Sequence, residues 1–262
     1  MLDERIARFP PRRSKGISYR ETGAGQALVL MHGIGSGSAG WLMQLETLKG
    51  FRLIAWDAPG YGESDLLPMD KPRPADYAQA LHEFIERLLL KDVVLVASSL
   101  GCLMAAAYAA AHPERVRSMI LLGPAGGYSN DESRTHERLR QYDELGAEGL
   151  AEKRAPTVVS PKSPPIALEL SRWTQRRVSR EAYRRAVYCL GQGSLALDAR
   201  KFPKTVLVAC GSEDQITPEA GCKAIARAFP GGTYQTLEGV GHVPHIEVPN
   251  TVNEIIRGQC SN

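Results

Sequence analysis

The sequence predicts an α/β fold: a mainly parallel sheet with helices on both faces and a block of extra helices inserted late in the sheet. Three observations predict it. Short runs that are apolar throughout recur along the chain, separated by helical patterns, as expected of strands covered on both faces. That alternation stops between residues 126 and 200, where only helical patterns occur. The 262 residues are 43% hydrophobic and 23% charged, the composition of a globular domain. A chain of this length can bury a core without help from metals or disulfides.

The strands follow in order. Ile17–Thr22 reads as an antiparallel edge, and Ala27–Met31 (ALVLM) and Arg52–Trp56 (RLIAW) as the first buried strands. Val93–Ala97, Met119–Leu122, Thr205–Cys210 and Thr233–Leu237 complete the set. Between them, residues 75–90 set Tyr77, Leu81, Phe84, Ile85 and Leu88 on one helical stripe. An Ala-rich helix over 100–111 stops before Pro113, a helix over 219–229 follows Pro218, and the last covers 250–258. The inserted helices are expected at 131–145, 165–178 and 180–190, with Pro156, Pro161, Pro164 and Pro165 separating the first two. The chain thus divides into a core of residues 1–125 and 201–262 and a helical lid of residues 126–200. A lid placed there would cover the carboxyl ends of the strands, where ligands bind in such sheets.

Several classes are excluded. No run approaches the roughly 18 apolar residues of a membrane span; the Ala-rich Leu100–Ala111 is far shorter. The start, Met1-Leu2-Asp3-Glu4-Arg5, lacks the basic and apolar regions of a signal peptide, so a cytoplasmic location is expected. The five cysteines have no C-x-x-C spacing and suggest neither a disulfide framework nor a metal site. The net charge of +3 is too small for a nucleic-acid footprint. It is also localised: residues 126–200 hold 13 basic and 10 acidic residues, and the remainder is balanced at 19 of each.

Gly35-Ser36-Gly37-Ser38-Ala39-Gly40 spells G-x-G-x-x-G, and Asp57 follows at a plausible distance for a ribose-binding acid. A dinucleotide-binding oxidoreductase is therefore an alternative. It is disfavoured because His32-Gly33-Ile34 intervenes between the strand and the first glycine, and because Asp57 opens a turn of its own, Ala58-Pro59-Gly60-Tyr61-Gly62.

A different motif carries the chemistry. Val93 to Gly101 runs from a strand straight into the Ala-rich helix, as a G-x-S-x-G-type elbow does. Such a turn needs small residues two positions either side of the nucleophile, because helix and strand pass so closely. Ser99 has Ala97 and Gly101 at those positions; Ser98 would have Val96 and Leu100. Ser99 is the candidate nucleophile, and a serine that merely caps the helix would leave the small neighbours unexplained. In this architecture an acid and then a histidine follow in the chain. Asp214 lies in the loop after Thr205–Cys210, with Glu213 as a local rival, and His242 lies in the loop after Thr233–Leu237, with His245 as a rival. The N–H of Leu100, next after the nucleophile, is placed to receive a developing oxyanion. The His32-Gly33-Ile34-Gly35 loop is placed to supply the second N–H, with His32 as its buttress.

HGIGSG (32–37), DAPGYGES (57–64), ASSLG (97–101), GSEDQITP (211–218) and GVGHVPH (239–245) together resemble the α/β-hydrolase fold family, in that family's order and over nearly the whole chain. Among its groups the chain is similar to bacterial catabolic hydrolases of the 3-oxoadipate enol-lactonase-like kind. The resemblance implies an eight-stranded-type sheet with a helical lid after the sixth strand. It also implies a triad of Ser99, Asp214 and His242, oxyanion donors at Ile34 and Leu100, and no cofactor or metal. Many relatives read G-H-S-x-G at the elbow, where this chain has Ala97 and Ser98. The serine also excludes the aspartate-nucleophile chemistry of dehalogenases and epoxide hydrolases.

The expected partner is a small molecule: an ester, lactone or amide cleaved through an acyl-enzyme. Hydrolysis of a C–C bond in a meta-cleavage-type dienoate is the alternative. It is mildly disfavoured by the low aromatic content and by the absence of a Trp beside His242. An inactive ligand-binding member of the fold is a remote one. Arg172, Arg176 and Arg180, spaced by four on one helix face, are either a solvated face or a clamp for a carboxylate-bearing substrate.

Overall fold

The computed structural model describes residues 1–261. Eight strands form one sheet: β1 (Arg12–Ser14), β2 (Ile17–Gly23), β3 (Gln26–Met31), β4 (Phe51–Trp56), β5 (Val93–Ser98), β6 (Val116–Leu122), β7 (Thr205–Gly211) and β8 (Gly231–Leu237). Their spatial order is β1-β2-β4-β3-β5-β6-β7-β8. The first two pairings are antiparallel and the other five parallel. The antiparallel strand expected over 17–22 is therefore present but is not the edge. Three residues of β1, too short and too polar to signal themselves, lie outside it.

Alternate side chains of the buried strands feed two separate cores. Val29, Met31, Ile54 and Trp56 point to one face and Leu28, Leu30, Leu53 and Ala55 to the other, all without exposed surface. The first face is covered by α3 (Pro74–Arg87) and α4 (Leu100–Ala111). The second is covered by α2 (Leu42–Thr47) and α11 (Pro249–Ser261), through Leu45, Val252 and Ile256. This double burial is why the strands read as unbroken apolar runs.

The inserted segment between β6 and β7 is wholly helical: α5 (Glu132–Val158), α6 (Pro165–Gln175), α7 (Arg180–Gln192) and α8 (Leu195–Ala199). The helix expected at 131–145 continues further than its sequence suggests. It bends at Gly146, whose φ of 63° and ψ of −177° are not helical, and then runs on through Pro156. The short helices α1 (Leu2–Ala7), α9 (Glu219–Ala228) and α10 (Pro244–Glu247) complete the chain. No described helix is long and apolar enough to cross a membrane.

The topology fixes where a site can form. β3 has β4 on one side and β5 on the other, so the chain leaves the carboxyl ends of β3 and β5 toward opposite faces. Such a switch point opens a crevice at the strand ends. The loop after β3 and the turn after β5 meet there.

Candidate active site

Ser99 stands between β5 and α4 with φ 52° and ψ −116°, a conformation that side chains rarely adopt. Main-chain bonds hold it there: its N–H donates to Leu122 O at 3.0 Å, and its carbonyl accepts from Cys102 and Ala125, each at 3.1 Å. Its side chain does not cap α4, so the capping reading fails. Gly101 shows why the elbow needs small residues. A Cβ at that position would lie 2.5 Å from Met31 O and 2.8 Å from His32 O. Across the crevice, a Cβ on Gly33 would stand 3.1 Å from Ser99 Cβ.

Asp214 and His242 come from the loops after β7 and β8 and are both buried. His242 Nδ1 lies 2.8 Å from Asp214 Oδ2. The other carboxylate oxygen accepts the N–H groups of Ile216 and Thr217 at 2.8 and 2.9 Å, and Thr217 Oγ1 donates to Oδ2 at 2.8 Å. Burial by itself would raise the Asp214 carboxyl. The hydrogen bonds from His242 and then Thr217 outweigh it and hold the group below the ordinary aspartate range. A fixed carboxylate on Nδ1 sets the tautomer and leaves Nε2 as the free acceptor. Ser99 and His242 line one cavity of about 400 Å³. Among the described residues the Ser99 hydroxyl makes no hydrogen bond to the imidazole.

Neither local rival belongs to the Asp214–His242 pair. Glu213 accepts from Ser160 Oγ at 2.5 Å and from Lys162 Nζ at 2.7 Å. His245 is buried against Trp41, ring centroids 4.3 Å apart, and burial, then the nearby His242, pulls its pKa down to about 3.

The loop after β3 is braced on both sides. His32 Nδ1 and Gly33 O are 2.8 Å apart, while His32 Nε2 accepts the N–H of Ala58 at 3.0 Å. Those two bonds require the Nδ1–H tautomer, and burial keeps the ring neutral by lowering its pKa. Gly33 O belongs to the same planar peptide as the Ile34 N–H, which must therefore point the opposite way. Tyr61 OH holds Ile34 O from the other side at 2.9 Å. Among the described residues, neither the Ile34 N–H nor the Leu100 N–H has a protein acceptor.

Asp57, the acid that a ribose would need, is buried and already engaged. Asp57 Oδ1 accepts Ser38 N–H at 2.7 Å, and Oδ2 accepts the hydroxyls of Ser18 and Ser38 at 2.7 and 3.0 Å. This acid ties the loop to the sheet.

Arg172, Arg176 and Arg180 are not brought to the cavity. Arg172 pairs with Glu152 at 3.3 Å, Arg176 with Glu148 at 2.9 Å and also with Glu152, and Arg180 with Asp143 at 2.7 Å. The acids come from α5, which the spacing along α6 and α7 could not reveal. From the insert, the residues lining the cavity include instead Arg134, Arg138, Tyr142, Leu150, Arg154 and Gln175.

Three residues that sequence reasoning missed shape the site. Gly123, at φ 50°, leaves room for the His242–Asp214 pair: its Cβ would fall 3.0 Å from Asp214 Oδ2 and 3.1 Å from His242 Nδ1. Thr217 orients the carboxylate, as above. Glu247 is buried and accepts the N–H groups of Gly241, Val243 and Ser160 at 2.9, 3.0 and 2.8 Å, and the Ser163 hydroxyl at 2.5 Å. It joins the His242 loop to the segment between α5 and α6.

Comparisons with known proteins agree with this architecture. The chain is 36% identical over 115 residues to a 2-hydroxy-6-oxo-6-phenylhexa-2,4-dienoate hydrolase of Comamonas testosteroni, a match covering 42% of this chain and 40% of that protein. That match thus spans less than half the relative's length. A 2-hydroxy-6-oxononadienedioate/2-hydroxy-6-oxononatrienedioate hydrolase of Pseudomonas putida is 26% identical over 260 residues, covering 92% of this chain and 90% of that one. The solved enol-lactonase of Burkholderia xenovorans LB400 superposes with a TM-score of 0.86 at 21% identity, over 97% of this chain and 100% of that one, and shares the fold. The model of the alpha/beta hydrolase family matches residues 28–255, the whole span from β3 into α11. By that match and by its sheet, this chain belongs to the alpha/beta hydrolase family.

Proposed function

We propose that the chain is a serine hydrolase that cleaves a small ester, lactone or amide through an acyl-enzyme on Ser99. One observation carries the reading: a strained serine and an imidazole held by a buried carboxylate line the same cavity. Ser99 Oγ attacks the substrate carbonyl while His242 Nε2 takes its proton, and Asp214 stabilises the imidazolium. The oxyanion is received by the N–H groups of Ile34 and Leu100, the latter aided by the positive end of α4. His242 returns its proton to the leaving group; water, deprotonated by the same imidazole, then releases the acyl group. Residues 126–200 act as a cap that shapes the acyl and leaving-group space.

A fluorophosphonate probe tests the nucleophile, with the modified residue read by mass spectrometry. Labelling of Ser99 is expected, and labelling elsewhere overturns the assignment. Ser99→Ala is expected to lose activity on the order of 10⁶-fold, and Ser98→Ala far less. Relatives named as dienoate hydrolases favour a second reading, C–C bond hydrolysis at the same site. Turnover of a chromogenic 2-hydroxy-6-oxo-dienoate, compared with 4-nitrophenyl esters, decides between the two.

A further inference from the structure

The insert treats its arginines in two ways. Several that face outward are neutralised: Arg140 pairs with Glu137 and Glu144, and Arg172, Arg176 and Arg180 pair with acids of α5. Arg134, Arg138 and Arg154 of α5 line the cavity, and none has a carboxylate within 4.0 Å among the described residues.

The second group is held by neutral partners. Arg138 donates from Nε to the Tyr183 hydroxyl at 3.1 Å and from Nη1 to the Tyr128 hydroxyl at 3.0 Å. Arg154 donates from Nη2 to Gln141 Oε1 at 2.8 Å, and its buried Nε has no partner. Arg134 stacks over the Tyr128 ring, 4.3 Å from its centroid. Phenols and an amide fix the direction of a guanidinium without cancelling its charge. Burial, and then the like charge of Arg138, hold Arg154 below the ordinary arginine value. Unneutralised like charges in a partly enclosed space are unfavourable until an anion joins them. Arginine's planar donor set also suits a carboxylate.

We infer that Arg138 and Arg154 form an anion subsite in the cavity and receive a carboxylate carried by the substrate. This rests on the reading of Ser99 as nucleophile for its kinetic consequence, but not for binding. It moves the substrate-recognising charge from the outer faces of α6 and α7 to the inner face of α5.

The test compares the mono-4-nitrophenyl ester of pimelic acid with 4-nitrophenyl heptanoate, substrates that differ by one terminal carboxylate. The wild-type protein is expected to prefer the acid. Arg154→Gln is expected to lower kcat/KM for the pimelate ester at least about tenfold more than for the heptanoate ester, the scale of a charge-assisted hydrogen bond. Arg154→Lys should restore part of the preference. Arg138→Gln is a second variant, because it also releases Tyr128 and Tyr183. Equal losses on both esters, or no preference in the wild type, overturn the inference. Calorimetric titration of Ser99→Ala with pimelate and with neutral pimelamide separates this failure from failure of the catalytic reading. Binding of pimelate that is lost in Ser99→Ala/Arg154→Gln supports the subsite whatever the nucleophile; equal binding of diacid and diamide refutes it.

Discussion

The Tyr61 hydroxyl donates to the main-chain oxygen of Ile34 across 2.9 Å, so a buried phenol braces the residue proposed as an oxyanion donor. Tyr61→Phe removes that bond and leaves a buried carbonyl unpaired, at a cost of about 1–3 kcal/mol. The expected kinetic result is a fall in kcat of roughly tenfold with KM little changed, since an oxyanion donor acts mainly in the transition state. Steady-state kinetics on a 4-nitrophenyl ester checks it; a loss confined to KM would contradict the positioning role.

Asp214→Asn keeps the shape of the loop but presents an amide to His242 Nδ1 and favours the wrong tautomer. A fall in kcat on the order of 10⁴-fold is expected. Glu213→Gln, beside it in the chain but bound to Ser160 and Lys162, should leave kcat nearly unchanged. If the two variants behave alike, the choice between the acids is wrong.

Gly101→Ala puts a methyl 2.5 Å from Met31 O, and neither backbone can yield without opening the elbow. Destabilisation of about 1–3 kcal/mol is expected, which for a domain of this size lowers Tm by several degrees. Activity should fall further than stability explains. Calorimetry paired with kinetics on the folded fraction measures both.

His245 stays neutral in the fold down to about pH 3 but takes up a proton near pH 6.5 once unfolded. The unfolded state therefore binds more protons between those values, and stability falls as the solution is acidified below about 6.5. The slope is at most about 1.4 kcal/mol per pH unit for this one group, and buried His32, also lowered, adds in the same sense. Urea melts of His245→Phe between pH 7 and 4.5 should show a shallower acid loss than the wild type. An unchanged slope would remove His245 from the account.

Arg176→Ala breaks exposed pairs with Glu148 and Glu152. The loss should stay below about 1 kcal/mol, with no selective effect on anionic esters. A selective loss would restore the outer arginine face as a substrate contact.

The parts legible in the sequence are those written in local pattern. Double burial makes β3 to β7 continuous apolar runs, and the close passage of helix and strand at Gly101 prints small residues around Ser99. The acid and histidine are legible because each sits one short loop beyond a recognisable strand. What escaped is set by meetings between distant segments. Gly123 matters only because the β7 and β8 loops converge on it. Tyr61 and Glu247 look like ordinary turn and helix residues until their partners, 27 and 87 positions away, are known. The arginines show the limit most clearly. Spacing identifies a face of a helix but not which way it looks, so Arg172, Arg176 and Arg180 stood out while Arg138 and Arg154 did not.

The Glu247 carboxylate has a mechanical consequence. One side chain grips the backbone on both sides of His242 and the strap leading from α5 to α6, and the His242 N–H is itself tied to Val158 O at 2.8 Å. The rear of the insert and the His242 loop are therefore a single strut. Residues 158–163 cannot swing outward without dragging the imidazole off its carboxylate. Among the described residues, the front of the insert, ahead of the break at Gly146, makes no hydrogen bond to the His242 loop, so the two halves of the insert differ in how they are tied to the Asp214–His242 pair.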